Sequence, residues 1–449
     1  MNSSVLVCLL LTPVFWVLVI KSWRKGFRYL LMYIPFGGLV TLSLYPSPIP
    51  TLFPDIFFVI PIYISYFLYQ LQSRREKKVP LGFLLIIGAL FFLAVLQILN
   101  HFLENLLVAL IGLKVWFFYI PLVFVTASTI VSKSELISLF RLMVVIAWIP
   151  CVIGILIWLA GITFGYIVTL EAIYGPIAKI VSQNFFSFMD GFLFRIPSTF
   201  TFVTQYTGFT LAMIVPAYSL MAIESSRKWK MFSASSLVLF SMACLLSGSR
   251  GAFIFLPLLL IITLSINGRV FSISKILSIL SFMGLIILVF IGFSSVTFNL
   301  PNHLLELLIH YGSEVVYKGI VEAIVNAPFG LGTGMNTGAS RYAFEDQSFT
   351  VFENYYAKSI NEFGFLGLIL VLGLFLYIIF KGFKILNGVK DPGLKRCAAV
   401  LVAFFITMCI HSLKGWQLDL VPINMYYWIF LGSLFSIGSK NFNKHTFVS

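Results

Sequence analysis

The sequence predicts an all-α polytopic membrane protein, a single integral membrane domain over residues 1–449 with about 12–13 transmembrane helices and two long outer loops. Three observations predict it: the composition, the recurrence of apolar runs, and basic residues gathered mainly on one side of those runs. The 449 residues are 60% hydrophobic, 17% aromatic and only 10% charged, with a mean hydropathy of +1.01. A water-soluble domain carries about 25% charged residues to cover its surface, so most of this surface faces lipid. Apolar runs long enough to cross a bilayer recur along the whole length, which leaves no room for a separate soluble domain.

The first apolar run, Val5 to Ile20, is followed by Lys21, Arg24, Lys25 and Arg28 and has no charge before it. A cleavable signal peptide has the reverse order, so the run reads as a retained anchor with its amino end outside. Spans follow near 4–20, 29–45, 56–71, 81–99, 115–131, 142–160, 199–223, 231–247, 252–266, 276–294, 360–380, 397–413 and 420–438. The stretch from Phe102 to Ile130 is long for one span and short for two, which leaves room for a tilted or re-entrant helix. Alternating from an outside start puts most of the 30 Lys+Arg and few of the 16 Asp+Glu on the cytoplasmic side, as the positive-inside rule requires. Basic clusters such as Arg74-Arg75-Glu76-Lys77-Lys78 and Arg227-Lys228-Trp229-Lys230 are thereby topology signals, and the net charge of +14 needs no nucleic-acid partner. The five cysteines all lie in apolar runs without CxxC or histidine spacing, so neither a disulfide framework nor a zinc site is expected.

Two outer connections exceed the rest, 161–198 and 295–359, and long loops usually carry function. The second opens with an amphipathic stretch from His303 to Val325, suited to a helix at the membrane interface. His303 and His310 share its face but lack further metal ligands. Pro328-Phe-Gly-Leu-Gly-Thr-Gly334 follows. Its glycines Gly330, Gly332 and Gly334 permit a sharp turn whose successive N–H groups cradle an anion, or which simply re-enters the bundle. No internal repeat marks a transporter with inverted halves.

Ionisable groups at the outer boundary are the candidates for chemistry. Arg195 ends the first long loop, Arg250 sits in the hairpin Leu246-Ser-Gly-Ser-Arg-Gly-Ala252, and Arg341 and Glu353 lie in the second loop, with Lys358 and Glu362 close behind. Three arginines converging on one face form a pocket for a phosphate-bearing group, because guanidinium binds phosphate oxygens in bidentate fashion.

Taken in order, Ser-Gly-Ser-Arg-Gly-Ala, then Pro-Phe-Gly-Leu-Gly-Thr-Gly, then Glu353-Asn354-Tyr-Tyr-Ala-Lys-Ser-Ile-Asn-Glu362-Phe-Gly364-Phe-Leu-Gly367 resembles the signature of the O-antigen polymerase and O-antigen ligase superfamily (Wzy and WaaL). The resemblance covers about residues 195 to 380. It implies a bacterial GT-C-like glycosyltransferase of the inner membrane, acting on its periplasmic face on glycans carried by undecaprenyl diphosphate, with no cofactor and no metal. The ligase pattern has histidine, then Asn, Ser or Gln, nine residues, Gly, two residues and Gly. This chain matches at Asn354, Gly364 and Gly367 but has Glu353 in place of the histidine, which favours the polymerase branch.

Transfer from a polyprenyl diphosphate needs positive charge on the leaving group and has use for a base at the acceptor hydroxyl. Arg195, Arg250 and Arg341 fit the first task; Arg341 and Glu353 are the catalytic candidates, with Glu353 either base or sugar ligand. Gly330, Gly332, Gly334, Asn354, Glu362, Gly364 and Gly367 form the supporting motif. The expected activity joins lipid-linked repeat units into O-antigen, capsule or exopolysaccharide, adding the growing chain to the non-reducing end of a new unit. The alternatives are a ligase placing glycan on the lipid A core of lipopolysaccharide, and a lipid-linked oligosaccharide flippase. Expected partners are the lipid-linked donor and acceptor, membrane lipid and a chain-length regulator. A glycosyltransferase brings the three arginines and Glu353 together beside a lipid-accessible groove; a flippase leaves them scattered.

Overall fold

A computed structural model of the chain describes residues 3–72, 79–103, 105–188, 191–267, 311–338, 352–439 and 442. It is 79% helical, and the described strands amount to one two-residue hairpin, Ser187–Phe188 with Leu193–Phe194. Eight described helical stretches are long and apolar enough to cross a membrane: Ile49–Gln72, Leu81–Leu99, Leu106–Thr129, Lys133–Phe164, Val203–Ile223, Arg227–Leu246, Tyr355–Gly388 and Pro392–His411. Shorter apolar helices run over Leu10–Lys21, Ala252–Ile266 and Ile423–Ile437. The chain is therefore an all-α polytopic membrane protein.

Several boundaries depart from the hydropathy reading, and prolines or glycines account for most of them. The expected span 29–45 is a bent path of Trp23–Tyr33, a 3₁₀ turn at Ile34–Phe36 and Gly37–Ser43, broken where Pro35 withholds a backbone donor. Leu106–Phe117 and Leu122–Thr129 together make one stretch long and apolar enough to cross a membrane, interrupted just before Leu122 at Pro121. The Lys133–Phe164 helix has 32 residues, about 48 Å at 1.5 Å per residue, and outreaches the hydrocarbon core. A capping box from Ser132 and Glu135 sets its start. The expected span 276–294, His303 and His310 lie outside the described residues.

Three helices, Val203–Ile223, Pro392–His411 and Ile423–Ile437, are buried on nearly all sides and form the centre of the bundle. Outer faces of the surrounding spans present Leu85, Phe92, Leu156, Leu366 and Phe380 to the lipid. One end of the bundle carries Lys25, Arg227 and Lys395 and is held by the pairs Lys133–Asp391 and Arg141–Glu224; we refer to it as the basic end.

The opposite end carries the long connections. The first of them folds into a cap: the Tyr166–Tyr174 helix, a short Ala178–Val181 turn and the hairpin pack Leu170, Tyr174, Phe192, Phe194 and Ile196 on Trp158. Trp158 Nε1 donates to Phe192 O at 3.0 Å, and Tyr174 Oη to Ser198 O at 2.9 Å. In the second, Tyr311–Lys318, wound as a π-helix, leads into Gly319–Asn326. That helix sets Gly319 and Ala323 against Phe352, Ala357 and Ile360, while Tyr317, Val321, Ile324 and Val325 stay exposed, an apolar face suited to a lipid interface.

The 34-residue Tyr355–Gly388 helix bends at Gly364, whose φ of 72° and ψ of −170° suit only glycine. The bend admits the glycine-rich turn: Phe365 N donates to Pro328 O at 2.9 Å and Leu331 N to Asn361 O at 2.7 Å. A Cβ on Gly364 would sit 2.6 Å from the carbonyl carbon of Phe329 and from Pro328 O, both backbone atoms with no room to retreat. Gly364→Ala is therefore expected to lower the melting temperature in detergent by several degrees, beyond the about 1–3 kcal/mol of backbone strain alone. Gly373→Ala, in the same helix and facing open space, is expected to leave it unchanged or raise it.

Candidate functional site

The site is assembled at the end opposite the basic one from four separate segments. Arg195 follows the hairpin, and its N donates to Phe186 O at 3.3 Å. Arg250 lies in the turn between the Arg227–Leu246 and Ala252–Ile266 helices. That turn is docked on the first segment by Ile196 N donating to Ser247 O at 3.1 Å and by Thr207 and Ser247 sharing a hydroxyl hydrogen bond at 2.9 Å. Both guanidinium groups lie over one ring: Arg195 Cζ is 5.0 Å and Arg250 Cζ 4.6 Å from the Phe186 centroid. Cation–π contact with a shared aromatic helps to hold two like charges near each other. Phe186 is itself set by an unusual turn, because Gln183, Asn184 and Phe185 in succession adopt φ of 54°, 62° and 56°. Runs of left-handed non-glycine residues store strain and cluster at functional sites.

The third cation is Lys414, in the connection after the Pro392–His411 helix, and sequence reasoning missed it. Its Nζ lies 3.0 Å from where a Cβ on Gly251 would stand, next to Arg250. Burial together with Arg195 and Arg250 pushes the Lys414 ammonium down to about 8 from 10.5, while Glu353 pulls the other way. Glu353 is exposed, and its backbone runs beside the same connection: Tyr355 N donates to Ser412 O at 2.9 Å, and Trp416 Nε1 donates to Phe352 O. The structure thus brings Arg195, Arg250, Lys414 and Glu353 together. Arg341 lies outside the described residues. The signal for Lys414 was present in the sequence: a lysine in a short connection on the face that otherwise collects few basic residues.

The supporting motif has an architectural role. Asn354 Oδ1 accepts from Tyr356 N at 2.8 Å and Ala357 N at 3.3 Å, capping the helix directly after Glu353. Gly330, Gly332 and Gly334 take φ of 86°, 120° and 91°, and Gly334 packs against Gly112 so closely that a Cβ on either would strike backbone. Gly367 lies one turn beyond the bend in the crowded start of the straight helix.

The glycine-rich turn does cradle an anion, but that anion is internal. Glu362 is fully buried; Oε2 accepts from Gly334 N at 2.9 Å and Trp116 Nε1 at 2.8 Å, and Oε1 from Asn336 N at 3.1 Å and Thr337 Oγ1 at 3.0 Å. This corrects the reading of the turn as a ligand cradle, because the N–H groups in question are already engaged. Lys358 Nζ stands 3.9 Å from Glu362 Oε1, pairs with Asp419 and lies 4.7 Å from the centre of the Trp116 ring. Burial pushes the Asp419 carboxyl up to about 6, against the pull of Lys358. Asp55, the lone acidic residue of the first outer connection, pairs with Lys114 Nζ at 2.7 Å and accepts from Tyr119 Oη at 2.7 Å. Asp55, Lys358 and Glu362, at or near the starts of their helices, are buried and internally compensated.

No protein-family model matches the chain, and no curated protein matches it in sequence. Three cations beside one exposed carboxylate, under a cap and near lipid-facing helices, suit an anionic group with two phosphates and a polar remainder.

Lys414 gives the site a pH signature. Its proton is held less tightly in the folded protein than in the unfolded chain, so the unfolded state binds more protons between pH 8 and 10.5 and stability rises with pH across that window. Anion affinity falls over the same window as the ammonium discharges. Thermal melts are expected to show an unliganded melting temperature rising above pH 8 while the upward shift given by inorganic pyrophosphate shrinks, and Lys414→Met is expected to flatten both trends. A second comparison separates framework from site: Glu362→Gln is expected to lower the melting temperature strongly, since each hydrogen bond to a charged group contributes about 1.5–3 kcal/mol, whereas Glu353→Gln leaves it unchanged.

Proposed function

We propose that the protein is a glycosyltransferase that polymerises lipid-linked oligosaccharide repeat units, acting at the outer face of a bacterial inner membrane in a GT-C-like manner. The observation that carries this reading is the convergence of Arg195, Arg250 and Lys414 with Glu353, from four segments, at the end of the bundle away from the basic connections. The positive-inside rule makes that end the outer one.

In this reading the donor is a growing glycan on undecaprenyl diphosphate and the acceptor a single lipid-linked unit. The three cations bind the diphosphate and meet the charge that grows on its oxygen as the C1–O bond breaks. A hydroxyl at the non-reducing end of the acceptor attacks C1 from the opposite side with inversion, and its proton passes to the Glu353 carboxylate. Exposure of Glu353 leaves it open to a sugar, as this role needs. The side chains supply the positive charge, so no divalent ion is invoked. The exposed apolar face of the Gly319–Asn326 helix gives the polyprenyl tails a lipid-side approach.

Glu353 in place of histidine separates this reading from the ligase. Buried charges that pair within one end of the bundle, among the described residues, rather than lining a path through it weigh against the flippase. The test is a gel of surface and lipid-linked glycans from the native host. A deletion strain is expected to show single repeat units on the surface, and complementation with Arg250→Ala or Lys414→Ala is expected to restore less than about a hundredth of wild-type polymer. Long chains stranded on the carrier would instead mean a ligase, and single repeats trapped inside, with both variants fully active, a flippase.

A further inference from the structure

At the basic end, the first turns of the Lys133–Phe164 and Arg227–Leu246 helices stand side by side, joined below by Trp148 Nε1 donating to Ser236 Oγ at 2.7 Å. Between them opens a cavity of about 450 Å³ lined by Ser134, Ser138, Ser225, Ser226, Arg141 and Glu224. Arg141 is held on two sides. Its Nε and Nη2 donate to the two carboxylate oxygens of Glu224, the latter at 2.8 Å, and its Cζ lies 4.4 Å from the centre of the Trp229 ring. The Glu224 side chain is 3% exposed and that of Arg141 36%, so the carboxylate is turned inward and the guanidinium presents its other edge outward. Guanidinium has five N–H donors, and Glu224 takes two.

A fixed guanidinium edge, four hydroxyl groups and the first turn of the Arg227–Leu246 helix, which its N-cap residue Ser226 does not cap through its side chain, make a surface for phosphate oxygens, whereas the start of the Lys133–Phe164 helix is already capped by Ser132 and Glu135. Arg227, Lys228 and Lys230 add positive charge beside it, while Lys133 is neutralised by Asp391. The stripe continues away from the phosphate side: Ser134, Ser138, Arg141, Val145 and Ile149 recur at three- and four-residue steps on one face, and Val145 and Ile149 are exposed. Polar groups at the helix start give way to exposed apolar ones one to two turns deeper, which matches a headgroup with its acyl chain below it. The stacked pair Trp148 and Phe232, 5.3 Å apart, lies on the facing side.

We propose that this cavity binds a phosphate ester, supplied by the headgroup of a membrane phospholipid in the leaflet at the basic end. The site is separate from the Arg195–Arg250–Lys414 cluster and independent of the function proposed for it.

The test uses the full chain purified in detergent, with melting temperature read against added dioleoylphosphatidylglycerol, dioleoylglycerol, which lacks the phosphate, or inorganic phosphate. Phosphatidylglycerol is expected to raise the melting temperature where dioleoylglycerol does not. Ser138→Leu and Ser225→Leu fill the cavity while keeping the Arg141–Glu224 pair; each, measured against its own baseline, is expected to need at least about tenfold more lipid for half the shift. Ser225 is exposed in a connection, so its variant remains readable should Ser138→Leu fail to fold. An equal shift from inorganic phosphate, lost in the same variants, would keep the phosphate site and move its source to solution. Equal shifts from phosphatidylglycerol in wild type and both variants, or no shift beyond that of dioleoylglycerol from either phosphatidylglycerol or inorganic phosphate, would overturn the proposal.

Discussion

A single buried carboxylate, Glu362, ties together the parts of the protein on which the site is built. Its two oxygens take four hydrogen bonds from the glycine-rich turn and from Trp116, and Lys358 stands beside it, in turn paired with Asp419. Four elements are thereby fixed relative to one another: the return of the second long loop, the Leu106–Phe117 helix, the start of the Tyr355–Gly388 helix and the connection that carries Lys414. A carboxylate so far from water is tolerable only when its hydrogen bonds and counter-charge are all present, and removing one partner of such a buried pair costs about 3–5 kcal/mol. The framework is therefore strongly cooperative at this end, and the bend at Gly364 is what lets the turn reach the carboxylate.

The framework holds buried charges of both signs, and the candidate site gathers cations. Glu362, Lys358, Asp419, Asp55 and Lys114 answer one another's charge inside the protein. Arg195, Arg250 and Lys414 crowd positive charge together around Phe186 and the Gly251 turn, with the exposed Glu353 as the nearby acidic group. Burial first, and then the neighbouring Arg195 and Arg250, depress the Lys414 ammonium, and a bound anion would relieve the part that comes from like charge. The strained turn at Gln183–Phe185 that sets Phe186 belongs to the same pattern.

Much of the fold was legible because composition and charge asymmetry act along the whole chain and need no tertiary information. Helix ends were less so. Pro35, Pro121 and Gly364 break or bend helices without changing hydropathy, whereas the Lys133–Phe164 helix runs past the bilayer with Pro150 inside it. At the site, Arg195, Arg250 and Glu353 stood out as charges at an apolar boundary. Lys414 did not, because a lone lysine in a short connection looks like any solvated charge until the fold puts Gly251 and Arg250 beside it. Glu362 was seen only as part of a motif. Nothing in the spacing between Gly334 and Glu362 says that the turn's N–H groups are spent on an internal carboxylate, since that depends on the bend at Gly364, just beyond Glu362.

The most direct measurement is reconstitution of the purified protein in liposomes with a synthetic lipid-linked repeat unit and assay for products in the presence of EDTA. Carriers bearing two or more repeats are expected, with one undecaprenyl diphosphate released for each linkage formed, and both products are expected to be lost when Arg195, Arg250 and Lys414 are replaced together by alanine. Absence of released undecaprenyl diphosphate from well-folded protein, or unchanged release by the triple variant, would contradict the proposed glycosyl transfer.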